Sequence, residues 1–221
     1  MRYARRRVRR GERGRPRPAG KTPRRYASAV RDAAYEETRR QIVDAAQKLY
    51  ADRGVRGTSW QDIADAAEVS AVTVYRHFRS LRELIPACTL SFIDSVAPMT
   101  EAEALAAFAE LAGPLEKLAK LIQEDCACYE RGQEWFRTVI REREMIPELD
   151  EMASSAEATL ATLVAAALDG TAAPPELHSA LNAVIDFPFW RALIGAGVPK
   201  AAAPDVMVDL TRCLLARYGI A

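Results

Sequence analysis

The stretch from Thr58 to Ser80 reads TSWQDIADAAEVSAVTVYRHFRS, and it predicts two short helices joined by a tight turn. Its first residues are of the types that cap helices. Thr58 can form a capping box with Gln61, or Ser59 can form one with Asp62, and the sequence leaves both open. The apolar residues that follow recur at helical spacing and predict one buried stripe: Ile63, Ala66 and Ala67.

The second half of this stretch predicts a helix with one buried and one exposed side. Ser70 offers a new N-cap, and Val74 and Phe78 lie on the same side at a spacing of i and i+4. The other side carries Ala71, Val72, Thr73, Arg76 and His77. Two short helices with a polar, basic outer face on the second are typical of a helix-turn-helix, in which the second helix enters the DNA major groove.

A longer helix precedes this motif. Residues 37–53 place apolar side chains on one face, at Ile42, Ala45, Ala46, Leu49 and Tyr50. Gly54 follows as a residue that tolerates the left-handed conformation at a helix end. We expect this helix to pack behind the two shorter ones, with Val55 completing a small core.

The stretch resembles the tetracycline-repressor (TetR) family of bacterial transcription regulators over roughly residues 37–86. The matching residues are Ile42, Ala45, Ala46, Leu49, Gly54, Thr58, Ile63, Ala64, Ala67, Val69, Ser70, Thr73, Tyr75, Phe78 and Leu84. The resemblance implies an all-α homodimer with an N-terminal three-helix helix-turn-helix DNA-binding domain, followed by a helical ligand-binding and dimerisation domain. It further implies a repressor that leaves a near-palindromic double-stranded DNA operator when a small apolar or amphipathic effector binds.

The resemblance also assigns roles to single residues. Ala71 and Val72 match positions that contact base edges and could touch a thymine methyl, whereas Thr73 and Tyr75 match phosphate-binding positions. Tyr75 could instead be a half-buried core ring, and His77 could be a structural histidine. The candidate DNA-binding residues are Arg56, Thr58, Trp60, Gln61, Ser70, Ala71, Val72, Thr73, Tyr75, Arg76, His77 and Arg79.

Two residues depart from the family pattern. Glu68 occupies a turn position where Gly is common, and it would carry modest strain if its φ is positive. Leu81 stands where the family often has a phosphate-binding Lys, for which Arg79 or Arg82 could substitute.

The charge of the chain is concentrated at its N-terminus. Residues 1–31 hold 13 Lys or Arg and one acidic residue, whereas the rest holds 18 basic and 29 acidic residues. We expect residues 1–31 to form a basic, disordered arm, which either binds DNA or is a solvated tail. The predicted domains are therefore this arm, a helix-turn-helix domain over residues 32–80 and a helical domain over residues 81–221.

The remainder predicts helices with short breaks. A capping box of Ser80 with Glu83 starts a fourth helix, with Pro86 in its first turn or just beyond. Later helices are predicted over residues 100–112, 114–131, 133–146, 148–168, 175–195 and 203–218, with breaks that include Gly132 and Pro147. In the family, the last pair of helices packs against its mate in a second subunit.

Side chains of the second domain could line an effector pocket. The candidates are Phe92, Cys126, Tyr129, Trp135, Phe136, Arg137 and Met145, with Arg137 or Arg141 as a polar anchor. Filling of an ordinary core explains the aromatic residues equally well. Cys126, Cys128 and His178 could in principle hold a soft metal, but two residues separated by two positions on a helix point about 200° apart.

Several classes of function are not expected. The sequence holds no nucleophile–base pair, P-loop or dinucleotide-binding motif, so neither an enzyme nor a cofactor is predicted. No run of 18 apolar residues and no secretory signal occurs, which favours a cytoplasmic protein that does not enter a membrane. The alternative to a ligand-responsive regulator is a sequence-tolerant DNA-binding protein driven by its basic arm.

Overall fold

The computed structural model describes residues 24–220, with side chains from residue 29 onward. Every regular element in this range is a helix, which confirms the all-α prediction. The helices are α1 (Arg24–Arg53), α2 (Trp60–Ala66), α3 (Ala71–His77), α4 (Leu81–Val96), α5 (Glu101–Ala109), α6 (Pro114–Glu142), α7 (Pro147–Ala167), α8 (Pro175–Ile185), α9 (Phe187–Gly195), a 3-10 turn (Lys200–Ala202) and α10 (Ala203–Arg217). Among them, none is both long enough and apolar enough to cross a membrane.

The first helix is longer than the sequence predicted. It is continuous from Arg24 to Arg53, so the prediction of a disordered arm is wrong for residues 24–31. Neither Gly nor Pro occurs between Pro23 and Gly54, and several alanines in this stretch favour helix. The rest of the predicted arm lies outside the described residues.

The second helix begins with the capping box of Ser59 and Asp62. The Asp62 backbone N–H donates to Ser59 Oγ over 3.1 Å, and the Ser59 backbone N–H donates to Asp62 Oδ2 over 2.8 Å. Thr58 has another role, because its hydroxyl donates to the Gly54 carbonyl over 2.8 Å and closes the preceding loop. The second of the two predicted alternatives is therefore the one that forms.

The turn between α2 and α3 is held in the left-handed region. Glu68 has a φ of 55°, a conformation that costs a non-glycine residue roughly 1 kcal/mol. The main chain closes around it, since the Val69 N–H donates to the Ala64 carbonyl over 3.0 Å. Helix α3 then packs through Val74 and Phe78, both fully buried, and the Arg39 guanidinium lies 4.1 Å above the Phe78 ring.

The fourth helix starts without the predicted capping box. The Ser80 side chain makes no capping hydrogen bond, whereas the Glu83 carboxylate accepts from the Arg79 N–H over 2.8 Å. Glu83 therefore satisfies a donor one residue ahead of the position that a capping box requires. Pro86 lies inside α4, beyond its first turn.

The buried apolar residues form two clusters. The first joins α1 to α4 with Trp135 and Val139 of α6 and with Ile146, Leu149 and Ala153 around the start of α7. The second lies among α5 to α10 and includes Leu118, Leu163, Leu177, Trp190 and Met207. The core behind the helix-turn-helix is thus completed by side chains from far along the chain.

The predicted helix over residues 175–195 is two helices. They meet at Asp186, whose extended backbone ends α8 and whose carboxylate caps α9 by accepting from the Phe187 N–H over 2.7 Å. Pro188 occupies the first turn of α9, where its missing N–H costs no hydrogen bond. The signal was present in the sequence as a capping Asp followed closely by Pro.

The predicted break at Gly132 is also wrong, because Gly132 lies in the middle of the continuous helix α6. This glycine permits close packing. A Cβ at position 132 would overlap the ring of Phe92 from α4, with Cε2 at 2.7 Å, and would lie 3.0 Å from Phe136 Cε2. The missing side chain lets α4 and α6 approach each other at their aromatic residues.

We expect Gly132→Ala to lower the free energy of unfolding by roughly 1–3 kcal/mol, because the added methyl must displace the Phe92 ring. Helix propensity alone would give the opposite sign, a gain of about 1 kcal/mol. Gly195→Ala is the matched control, since nothing lies within 4 Å of a Cβ there. Urea unfolding of both variants measures the difference, and equal stabilities would contradict the packing role.

Candidate DNA-binding surface and internal cavity

The outer face of α3 is an exposed surface of mixed character. Val72 is 79% exposed and Tyr75 is 49% exposed, and the Arg76 side chain also lies at the surface. Ala71 and Thr73 are half-buried at the edge of this face. The prediction that Ala71, Val72, Thr73 and Arg76 lie on the outer side of α3 therefore agrees with their placement.

Two local contacts fix this face. The Ser70 hydroxyl accepts from the Thr73 N–H over 3.1 Å and lies 2.9 Å from the Thr73 hydroxyl, so it caps α3 as predicted. The rings of Trp60 and Tyr75 lie 5.4 Å apart between centroids, which ties the start of α2 to the middle of α3. Tyr75 is thus a surface ring supported on one side by Trp60.

His77 does not belong to this surface. Its side chain is 5% exposed, so the prediction that it is a DNA-binding residue is wrong and the structural alternative is correct. Position 77 follows Val74 by three residues and precedes the buried Phe78, which places it on the inner side of the helix. Arg79, just after the helix, is exposed.

The loop before α2 contributes further exposed polar residues. Gln61 is exposed and donates to Asp65 Oδ1 over 2.7 Å. The Arg56 guanidinium is exposed as well, but it donates to Met145 Sδ over 2.8 Å. A contact of Arg56 with a nucleic acid would therefore have to replace this hydrogen bond.

A cavity of about 670 Å³, open to solvent on one side, lies among α4, α6, α7 and the junction of α8 with α9. Four of the residues predicted for a pocket line it: Phe92, Tyr129, Trp135 and Phe136. Their rings contact each other, with centroids 5.3 Å apart for Phe92 and Phe136 and also for Tyr129 and Phe136. Phe187, which the sequence did not indicate, stacks on Phe136 at 5.0 Å. This volume is in the range of small-molecule sites.

The other three predicted pocket residues do not line the cavity. Cys126 faces the second apolar cluster, where its thiol lies 3.6 Å from Met207 Sδ, and Cys128 lines the cavity instead. Arg137 is exposed and pairs with Glu134, and Met145 is 50% exposed beside Arg56. The proposed anchor Arg141 pairs with Glu142. On α6, the lining side is the one that carries Tyr129 and Trp135.

The polar groups of the cavity are acidic, which the sequence analysis missed. Asp125 and Asp186 both line it. Burial, together with the neighbouring Asp186 and Glu124 carboxylates, raises the pKa of the Asp125 carboxyl to about 7. Burial also raises the pKa of Asp186, and this effect exceeds the lowering caused by the hydrogen bond from the Phe187 N–H. Asp125 precedes Tyr129 by one helical turn, and this spacing was the available signal.

Helix α6 is also bonded to the loop and helix that support α2. The Thr138 hydroxyl donates to the Tyr50 carbonyl over 2.8 Å, and both groups are buried. The buried Glu142 carboxylate accepts from the Arg56 N–H over 3.0 Å and lies against Gly54, where a Cβ would collide with it. One face of α6 thus contacts the cavity while its last turns hold the helix-turn-helix.

We expect Asp125→Asn to stabilise the protein at pH 8 by roughly 1–3 kcal/mol, because the wild-type protein must ionise a buried carboxyl there. The unfolded carboxyl ionises near its ordinary value of 3.8 and the folded one at about 7. Between these values the native state holds more protons, so the free energy of unfolding of the wild-type protein falls as pH rises.

The difference between the two proteins should therefore grow from about pH 4 to about pH 7 and stay constant above. Thermal unfolding across this range measures it. Asp94→Asn, an exposed carboxylate on α4, is the control and should show no such trend. A stability difference between Asp125→Asn and the wild-type protein that does not change with pH would contradict the raised pKa of Asp125.

Comparison with known sequences identifies the helix-turn-helix. The sequence model of the family described as "Bacterial regulatory proteins, tetR family" matches residues 42–88. The transcriptional repressor KstR2 of Rhodococcus jostii is 36% identical over 58 residues, which are 26% of this chain and 28% of KstR2. The transcriptional regulator TtgR of Pseudomonas putida is 42% identical over 52 residues, 24% of this chain and 25% of TtgR. The matches thus span only about a quarter of these relatives.

Solved structures extend the similarity of fold beyond this region. NalD of Pseudomonas aeruginosa, the secondary repressor of the MexAB-OprM multidrug efflux pump, superposes with a TM-score of 0.62 at 20% identity, covering 80% of this chain and 95% of NalD. The matched region coincides with α2, α3 and their supporting helices, and the fold continues through the remaining helices. Residues 42–88 therefore match the TetR family of bacterial regulatory proteins, and most of the chain shares its fold with solved structures such as NalD.

Proposed function

We propose that this protein is a homodimeric transcriptional repressor that binds a near-palindromic operator through α3 and leaves it when a small molecule occupies the cavity. The match of residues 42–88 to the TetR family supports the regulatory role. The observation that carries the proposal is the exposed face of Val72, Tyr75 and Arg76 on a helix whose opposite face is fully buried. A rigidly mounted helix with such a face suits the major groove.

Residues shared by the cavity and the helix-turn-helix core support the ligand response. Ile85, Trp135, Val139 and Ala153 belong to the apolar cluster behind α2 and α3, and all four also line the cavity. A ligand that displaces any of them must repack the core that holds α3. Since packed cores shift between discrete arrangements, occupancy can favour a state in which the two recognition helices of a dimer are wrongly spaced.

The C-terminal helices support the proposal of a dimer. Helix α10 leaves Leu210 38% exposed and Tyr218, just after its end, 39% exposed, with Val206 and Leu214 half-buried. A second subunit packed there would cover this apolar surface. The resulting twofold axis would present two α3 helices to successive turns of the major groove.

Operator binding is testable by fluorescence anisotropy with duplex DNA from upstream of the gene and a scrambled duplex of equal length, at physiological salt. We expect tight binding to the native duplex only, with two subunits per site. Equal binding to both duplexes would favour the sequence-tolerant alternative, in which the basic arm dominates. Removal of residues 1–23, which leaves α1 intact, would then abolish binding, whereas a specific repressor should keep its sequence preference.

We expect Arg76→Ala to weaken operator binding about tenfold, because it removes an exposed cation from the centre of the α3 surface. Two readouts separate two modes of contact. Loss of a phosphate contact reduces the steepness of log K against log salt by about one, whereas loss of a guanine contact relaxes the sequence preference. Lys200→Ala removes an equal charge from the turn before α10 and is the control. Unchanged affinity of Arg76→Ala would contradict the assigned surface.

A further inference from the structure

The charge of the cavity wall has one sign. Within the described part of the chain, its lining includes the carboxylates of Asp125 and Asp186 and no Lys, Arg or His side chain. Glu101, Glu148 and Glu151 line it too. Glu157 also lines the cavity, and its carboxylate is paired with Arg143, which does not belong to the lining. An anionic ligand would therefore enter a cavity without a cation to receive it.

We propose that the cavity binds a lipophilic monocation, whose charged head lies between Asp125 and Asp186 and whose apolar body lies against the aromatic rings. This inference rests on the proposed function, because it names the chemical class of the effector. An amine or quaternary ammonium bearing an aryl or alkyl group has the required character.

The two carboxylates lie on elements that one hydrogen bond holds together. Tyr129 follows Asp125 by one turn of α6, and its hydroxyl donates to the Ile185 carbonyl over 3.2 Å. Ile185 directly precedes Asp186, so Tyr129 fixes the side of α6 that carries Asp125 to the junction that carries Asp186. Neither carboxylate forms an ion pair with a basic side chain among residues 29–220. Both therefore retain acceptor capacity for an incoming cation.

The aromatic residues complete a site for a cation with an apolar body. Tyr129, Phe136 and Phe187 contact one another with centroids 5.0–5.5 Å apart. Ring faces attract a nearby cation electrostatically, and this attraction is larger where water is excluded. The same rings exclude small, strongly hydrated ions, whose dehydration the few carboxylates would not offset. The site thus favours a diffuse organic charge over Na⁺ or K⁺.

Protonation provides a second signature of this site. Asp125 faces Asp186 from the α8–α9 junction and Glu124 from its own helix, and Arg143 acts on Asp186 together with Glu157 of α7. The pKa of Asp125 is about 7, so the group is partly protonated near neutral pH. A bound cation favours the ionised carboxyl, and binding should therefore release a proton between about pH 6 and pH 7.

Isothermal titration calorimetry of the full chain without DNA tests the proposal. The probes are benzyltrimethylammonium, benzyl alcohol and phenylacetate, which share a ring and differ in charge. We expect the cation to bind at least about tenfold more tightly than the alcohol and the anion not to bind. Near pH 6.5, the heat of cation binding should depend on the ionisation enthalpy of the buffer, which reports proton release.

Variants assign the effect to the two carboxylates. Asp125→Asn and Asp186→Asn should each weaken cation binding about tenfold and leave the alcohol unaffected. Asn preserves the cap of α9 at position 186, and circular dichroism verifies that both variants fold. Asp94→Asn is the control and should bind like the wild-type protein.

Three results would overturn the proposal: no binding of the cation at millimolar concentration, equal binding of the cation and the alcohol, or cation binding that neither Asn variant changes. Each is independent of operator recognition, because the titration contains no DNA. A protein that binds the cation but no operator would refute the proposed function alone. A protein that binds its operator but not the cation would refute this inference alone.

Discussion

Helix α6 packs against two sets of partners, and it contributes to both the helix-turn-helix core and the cavity wall. Trp135 and Val139 fill the core behind the helix-turn-helix, and the same side chains form part of the cavity wall. The region over α1 to α3 is too small to bury its apolar residues by itself. Its core is completed by Trp135 and Val139 of α6, which lie far along the chain. Gly132 allows the arrangement, because any larger side chain would hold α4 away from α6. A change inside the cavity therefore cannot be confined to it.

Two polar contacts fix the position of α6 along this apolar packing, which is itself non-directional. The Thr138 hydroxyl donates to the Tyr50 carbonyl, and the Glu142 carboxylate accepts from the Arg56 N–H. Buried hydrogen bonds of this kind are costly to break without replacement. They connect α6 to the end of α1 and to the loop before α2. The proposed response to a ligand thus has two paths into the helix-turn-helix, one through α4 and one through the end of α6.

Local signals explain what the sequence revealed. The helix-turn-helix was predictable because its caps, its spacing of apolar residues and its turn all lie within a short stretch, and Ser59, Ser70 and Val74 act as expected. The prediction for His77 is wrong because its side chain lies on the inner side of α3, which its polarity does not reveal. The prediction for Gly132 is wrong because its role depends on Phe92, which lies 40 positions earlier. The spacing of Asp125 and Tyr129 was a local signal for one acidic group, but its pairing with Asp186 was not predictable, because the two become neighbours only after α6 and the α8–α9 junction pack together.

The contacts at the end of α6 have an evolutionary consequence. Glu142 and Thr138 bond to the main chain at positions 56 and 50, and any residue other than proline offers the same N–H at position 56. Mutations can therefore exchange the side chain of Arg56 without removing the connection between α6 and its neighbouring loop. Under the proposed function, such a protein can change the DNA sequence that it binds while the bond between α6 and the loop is kept. Duplicated copies of a gene of this kind could diversify their targets and their effectors along separate routes.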